Sequence, residues 1–401
     1  MNPTPSPIEY IKRWQSEFTA VRRDLHAHPE LGFEELRTAK TVADRLAAMG
    51  IAHETGVGRT GIVAVIPGAS NASGRGIGLR ADMDALPMHE ENTFAHKSVV
   101  DGRMHGCGHD GHTTMLLAAA RYLAETKRFD GTAYLIFQPG EEGYAGGKAM
   151  IDDGLFERFP ADEVYALHNW PGLPAGKIAV RPGPMMAAAD RIEIHIAGRG
   201  GHGAHPDLTI DPVLVAAHII VAAQSIVSRN VDPIDTAVVS LCSMQAGNPG
   251  AMSVVPREAH LVGTVRTFRT ATQDMIERRL SELVHSIAAA FGATARIDYQ
   301  RVYPATINTD AEAIFAANVA ASIVGEDNVI RDLDPSMGSE DFSFMLQRRP
   351  GAYARLGQGG DGVGHGAFLH STRYDFNDDV IAVGAGYLSA LAERAMPLDP
   401  R

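Results

Sequence analysis

The chain has 401 residues, 45% of them hydrophobic and 21% charged, with a formal net charge of −12. That length exceeds one ordinary core and predicts two domains. The acidic balance, without a Lys/Arg block, argues against nucleic acid or an anionic membrane as a partner. The opening MNPTPSPIEYIKRW lacks the positive region and apolar run of a signal peptide. The longest apolar stretch, around Val213 to Ala223, is interrupted by His218 and is too short to span a bilayer. Two cysteines cannot form a disulfide framework, so a reduced, cytoplasmic compartment is expected.

Helical periodicity runs from Ile8 to Leu25 and again from Glu34 to Met49, where Gly50 supplies a stop. Short apolar runs follow at 60–68, 76–84, 132–142 and 162–170, each reading as a buried strand, with a helix from His112 to Thr126 among them. Strands alternating with helices predict an α/β sandwich around a largely parallel sheet. From about 188 the pattern changes. Strands at 190–200, 236–247, 258–268 and 293–302, with helices after Asp211-Pro212 and over 273–291, give the order β-α-β-β-α-β. The expected organisation is a catalytic α/β domain of residues 1–187 and 301–401, interrupted by a ferredoxin-like domain of 188–300. Helices near 311–324, 340–348 and 378–395 close the chain, with the loop 362–378 between the last two.

Three of the strand runs end on reactive side chains. GLRADMD delivers Arg80, Asp82 and Asp84, LIFQPGEE delivers Glu141 and Glu142, and VYALHNW delivers His168. Ligand sites in open α/β sheets lie just beyond the carboxyl ends of the strands. Between them stands MHGCGHDGH (104–112), in which Cys107 and His109 can face one ion if Gly106, Gly108 and Gly111 allow a tight turn. The dipole of the helix that follows is expected to favour a thiolate at Cys107. A structural zinc site would want paired ligands such as C-x-x-C, which are absent, and has no use for two adjacent carboxylates. Such a pair suggests divided labour, one acid binding metal and its neighbour taking a proton from water.

These residues sit in a longer series of motifs: RRDLHAHPELGFEE (22–35), LRADMDALPMHE (79–90), FQPGEEG (137–143), ALHNWPGLPAG (166–176), GRGGHGAHPD (198–207), VVPREAHLVGTVRTF (254–268), MGSEDFSFML (337–346) and FLHSTRYDFND (368–378). In them the chain resembles subfamily D of the M20 metallopeptidase and amidohydrolase family, which includes hippurate hydrolases, N-acyl-amino-acid amidohydrolases and plant auxin-conjugate hydrolases. The resemblance implies two divalent ions, zinc or manganese with nickel or cobalt as substitutes, held by Cys107, His109, Glu142, His168 and His370. It implies Glu141 as general base and His202, from the inserted domain, as a donor to the scissile carbonyl across a dimer or after domain closure. Arg266 matches a position that binds the substrate carboxylate, and Asp82 one that orients metal ligands. Ser253 stands where many relatives carry a substrate-side asparagine, for which Asn248 is the nearest compensation. Arg80 occupies a place where other branches carry a metal-binding histidine. His26, His28, His105 and His112 receive packing or second-layer roles. The implied activity is hydrolysis of a small N-acyl amino acid by a homodimer. The alternative is a carboxypeptidase or dipeptidase using the same centre, and a non-catalytic metal-binding protein on this fold is the rival from another class.

Overall fold

The structure is a computed structural model, and it describes residues 5–360 and 367–399. The glycine-rich start of the 362–378 loop therefore lies outside the described residues. The chain divides into two compact units. The first comprises the chain up to Met185, Ile307–Asp334 and Asp341 onward, and the second Met186–Thr306 with Pro335–Glu340.

The first unit is built on an eight-stranded mixed sheet. Its centre is parallel: Gly76–Asp82 lies between Thr132–Gln138 and Glu163–Trp170, and the last of these pairs in parallel with Gly351–Gly357. Gly61–Pro67 and Ala52–Val57 add antiparallel strands at one side. Gly76–Asp82 and Gly351–Gly357 are buried at every residue, as strands covered on both faces must be. The helix His109–Thr126 packs against the sheet and against Ile381–Ala395, and both helices are buried over most of their length.

Several elements depart from the expectations. The opening helix is two, Pro7–Lys12 and Gln15–Ala27. The break at Arg13-Trp14 lets Tyr10, Trp14 and Phe18 meet edge to face at 5.3 and 6.3 Å. Ala52–Val57 is a polar sheet edge with no apolar alternation to reveal it. Gly351–Gly357 is a central strand disguised by Arg355, whose buried guanidinium lies 3.8 Å from the centre of the Trp170 ring and donates to the Met185 carbonyl at 2.9 Å. Only Ser343–Leu346 of the expected 340–348 helix forms. Asp341 is occupied instead with Gln138 and the Gly147 amide, at 2.7 and 2.8 Å.

The second unit has a four-stranded antiparallel sheet. Ala188–Ala197 lies between Glu258–Thr267 and Thr294–Tyr303, with Ala237–Ala246 outside Glu258–Thr267. With the helices Pro212–Asn230 and Thr270–Ala290 this is the ferredoxin-like order β-α-β-β-α-β. Pro212–Asn230 is 19 residues long and, by length and composition, apolar enough to cross a membrane, contrary to the reading of 213–223. Its Val215, Ala216, Ile219, Ala223 and Ile226 are buried in this unit's own core with Ile194 and Leu261, which accounts for that apolarity.

Candidate metal centre

Four separated segments of the first unit meet at the carboxyl ends of its parallel strands. The His109–Thr126 helix begins three residues earlier than expected, so His109 sits in its first turn and Cys107 just ahead of it. Gly108 caps it at φ +94°, and a Cβ there would lie 2.4 Å from Asn169 Oδ1 and 2.5 Å from the Tyr374 hydroxyl. Only glycine fits both demands. Gly106 and Gly111 serve by smallness alone, since a Cβ on Gly111 would fall 2.3 Å from the Phe376 ring.

Cys107 Sγ is 3.5 Å from His168 Nε2. His168 Nδ1 faces the Asn169 carbonyl at 2.7 Å. That contact fixes the proton on Nδ1 and leaves the Nε2 lone pair toward the sulfur. His109 is oriented in the same way, with Nδ1 3.3 Å from Asp84 Oδ1 and Nε2 3.9 Å from Glu142 Oε1. His370 Nε2 reaches the same Glu142 oxygen at 3.2 Å. His370 holds φ +64°, and its amide donates to the Gly106 carbonyl at 2.7 Å, tying its loop to the Cys107 turn. A non-glycine residue held there reflects a conformation imposed by its surroundings.

Glu141 and Glu142 follow the strand Thr132–Gln138 through Pro139-Gly140. Asp84 Oδ1 accepts from the Glu141 amide at 3.0 Å and Oδ2 from the Glu142 amide at 2.9 Å. Asp84 is thus the buttress of both acids and of His109, while Asp82, expected to orient metal ligands, lies 3.7 Å from His109 Nε2. Asp82 also takes His112 Nδ1 at 2.6 Å and Arg80 at 2.8 Å. Strand-end acids two residues apart carry no signal that separates these jobs. His112 also meets Asn169 Oδ1 at 2.7 Å, and His26 meets Asp110 at 2.8 Å and Glu90 at 3.3 Å. His28 bonds locally to the Asp24 carbonyl. His105 is buried with neither ring nitrogen hydrogen-bonded.

The electrostatics call for a cation. Burial, then Glu142 and Glu141, pushes the Cys107 thiol well above its ordinary value. Burial and the neighbouring acids together thus oppose the thiolate that the helix dipole favours. Burial opposes charge on His109, yet Asp82, Asp84 and Glu142 raise it to about 10. Burial and His112 hold His168 well below the imidazole range. His109 Nε2 is buried without a hydrogen-bond partner, 3.9 Å from the Glu142 Oε1 that His370 also approaches. Buried polar atoms are normally paired. A divalent ion among these donors would satisfy it and let the thiol ionise, as soft and borderline metals require. The clusters Cys107–His109–Glu142 and Asp82–His109–His112–His168 each bring their donor atoms within 4.8 Å of one another.

In the second unit, Gly201–His202 pairs with Val254–Val255, and the Gly203 amide donates to the Ser253 carbonyl at 2.7 Å, so His202 and Ser253 are neighbours. The Ala204 amide donates to His202 Nδ1 at 3.0 Å. A neutral ring then carries its proton on Nε2, which is left as a donor. Asn248 uses its side-chain oxygen on the Gly250 amide at 2.9 Å, in a turn of its own. Arg266 is half-buried, donates to Thr264 and Ser339 at 3.0 and 3.2 Å, and has no carboxylate within ion-pair distance among the described residues. Burial lowers its pKa.

Converging strand-end donors with a second carboxylate alongside are the construction of hydrolases that activate water on bound cations. The signature of peptidase family M20/M25/M40 matches residues 78–394, and the chain belongs to that family. It is 43% identical over 385 residues to hippurate hydrolase of Campylobacter jejuni, covering 96% of this chain and 98% of that one. It is 38% identical to IAA-amino acid hydrolase ILR1-like 4 of Arabidopsis thaliana, over 93% of this chain and 84% of the relative. A dinuclear metal-binding peptidase of family M20 from Bacillus subtilis superposes with a TM-score of 0.82 at 32% identity, over 96% of this chain and 99% of that one. The chain is a hydrolase of amide bonds.

Proposed function

We propose that the chain cleaves N-acyl amino acids to a carboxylic acid and a free amino acid, with N-aroylglycines of the hippurate type and N-acetyl amino acids as the leading substrates. Two divalent cations, zinc or manganese, would be held by Cys107, His109, Glu142, His168 and His370. The observation that carries the reading is the convergence of thiol, imidazole and carboxylate donors around the unpaired His109 Nε2, with Glu141 beside them. The hippurate hydrolase relative supports the substrate class, and the dinuclear peptidase supports two ions. Bound there, the cations supply Lewis acidity, acidifying a water and stabilising negative charge on the carbonyl oxygen.

The rest of the reaction falls to this chain's side chains. Glu141 is mostly buried and one oxygen accepts from the Asp341 amide at 3.3 Å, which fixes its direction. It takes a proton from the attacking water and returns it to the leaving nitrogen as the C–N bond breaks. His202, with its proton on Nε2, donates to the carbonyl oxygen from a partner subunit or after domain closure. Arg266 offers its guanidinium fork to the substrate carboxylate. A homodimer in the cytoplasm completes the reading, in keeping with two unbridged cysteines.

The test is benzoate release from hippurate with and without chelator, in wild type and Glu141→Gln, beside a dipeptide bearing a free amine. Metal-dependent turnover of hippurate, lost in the variant, is the expected result. Turnover of the dipeptide alone would favour the carboxypeptidase or dipeptidase reading.

A further inference from the structure

The second unit holds a group of metal-binding side chains that the amide hydrolysis does not use. Ile192, Ile194 and Ile196 turn one face of the strand Ala188–Ala197 into this unit's core. Alternation places Glu193 and His195 together on the other face. His260 lies directly opposite His195 on the neighbouring antiparallel strand. The two imidazoles stack with ring centres 4.3 Å apart and planes 12° from parallel. Glu193 Oε2 is 3.3 Å from His260 Nε2 and 3.8 Å from His195 Nε2. Arg191 grips the other oxygen, Oε1, at 2.6 and 2.8 Å, and so aims Oε2 at the rings. His260 Nε2 is shielded from solvent, with the Glu193 carboxylate as its polar neighbour.

We propose that Glu193, His195 and His260 form a further binding site for one divalent transition ion of the zinc type. Two donors at i and i+2 on one strand and a third across the ladder lie on one face by the pleat alone. Zinc bonds of about 2.1 Å at tetrahedral angles put donors roughly 3.4 Å apart, close to the two Glu193–histidine spacings, and the stacked rings would turn about their side-chain bonds to bring both lone pairs onto the ion. Two imidazoles and a carboxylate are donors that zinc accepts, and three protein ligands leave a fourth position open. The two histidines line a cleft of about 600 Å³ together with Gln245, Glu258 and Arg296. The site rests on residues independent of the metal centre in the first unit, and the proposal stands whether or not the substrate assignment does. Bridging two adjacent strands, the ion would pin the register of this sheet.

The experiment counts zinc on the intact protein after equilibration with micromolar zinc, in wild type, His195→Gln, His260→Gln and the double variant. Wild type is expected to hold one zinc more than the double variant, and each single substitution to weaken that last site at least tenfold. In the cobalt form, the wild-type-minus-variant difference spectrum should show visible bands of a low-coordinate nitrogen/oxygen site. Both histidines are partly exposed, so the single variants should melt as the metal-free wild type does. Equal zinc content in wild type and variants, or filling only at millimolar zinc, overturns the proposal.

Discussion

Asp84 holds Glu142 by its backbone: the carboxylate accepts the Glu142 amide at 2.9 Å while its other oxygen takes the Glu141 amide and faces His109. One buried side chain therefore sets the position of the proposed base and of two proposed ligands. Asp84→Asn keeps the shape but turns an amide NH₂ toward a donor. Loss of such a supporting contact costs roughly 10- to 100-fold in metal affinity or activity. Metal titration and kcat/KM on one N-acyl amino acid check it, and a variant unchanged in both would remove Asp84 from the centre.

Glu141→Gln retains the acceptor for the Asp341 amide but cannot take a proton. kcat should fall by ~10²–10⁴, the usual worth of a positioned base. Bound metal should stay at the wild-type level, as elemental analysis can show. A parallel loss of metal would assign Glu141 to coordination instead.

Removing metal should destabilise the first unit, because an ion bound by the assembled donors and not by the unfolded chain stabilises the fold. Saturation at 100 times Kd stabilises a fold by ~2.7 kcal/mol. A chelator should lower the melting temperature of wild type and zinc or manganese should restore it. Cys107→Ser should respond less to both additions.

Arg266 has a half-buried guanidinium that, among the described residues, feels Asp190 only from beyond ion-pair distance. If it meets the substrate carboxylate, Arg266→Ala should lose ~1.5–3 kcal/mol of binding, roughly 10- to 150-fold, through a raised KM. An analogue with an amide in place of the carboxylate should lose far less. Equal losses on both substrates would contradict the assignment.

Burial pushes Glu35 up to about 7, helped by Asp84 and opposed by the Thr60 hydroxyl. Its carboxyl accepts the Gly140 amide at 2.8 Å, just before the two site acids. A carboxyl raised in the fold favours the folded state while protonated. Its contribution is complete below the ordinary value of 4.5 and is lost as pH climbs to about 7. Glu35→Gln stays neutral throughout. Relative to wild type it should gain ~2–3 kcal/mol of stability between pH 4.5 and pH 8. Parallel stability profiles for the two proteins would show that Glu35 stays ionised in the fold.

The amino-acid order alone determined the class of this fold, because hydrophobic period and turn chemistry act over a few residues. The strands at 76–82, 132–138 and 163–170 and the order β-α-β-β-α-β could be read in that way. The strand Gly351–Gly357 could not, since its Arg355 finds partners only in the packed molecule. Motif order likewise led to the family. Tertiary structure alone decided that Asp84 buttresses the acids, that burial and surrounding carboxylates together hold the Cys107 thiol up, and that His195 faces His260. Each of these depends on directions and distances between residues remote in the chain, and local spacing carries no record of them.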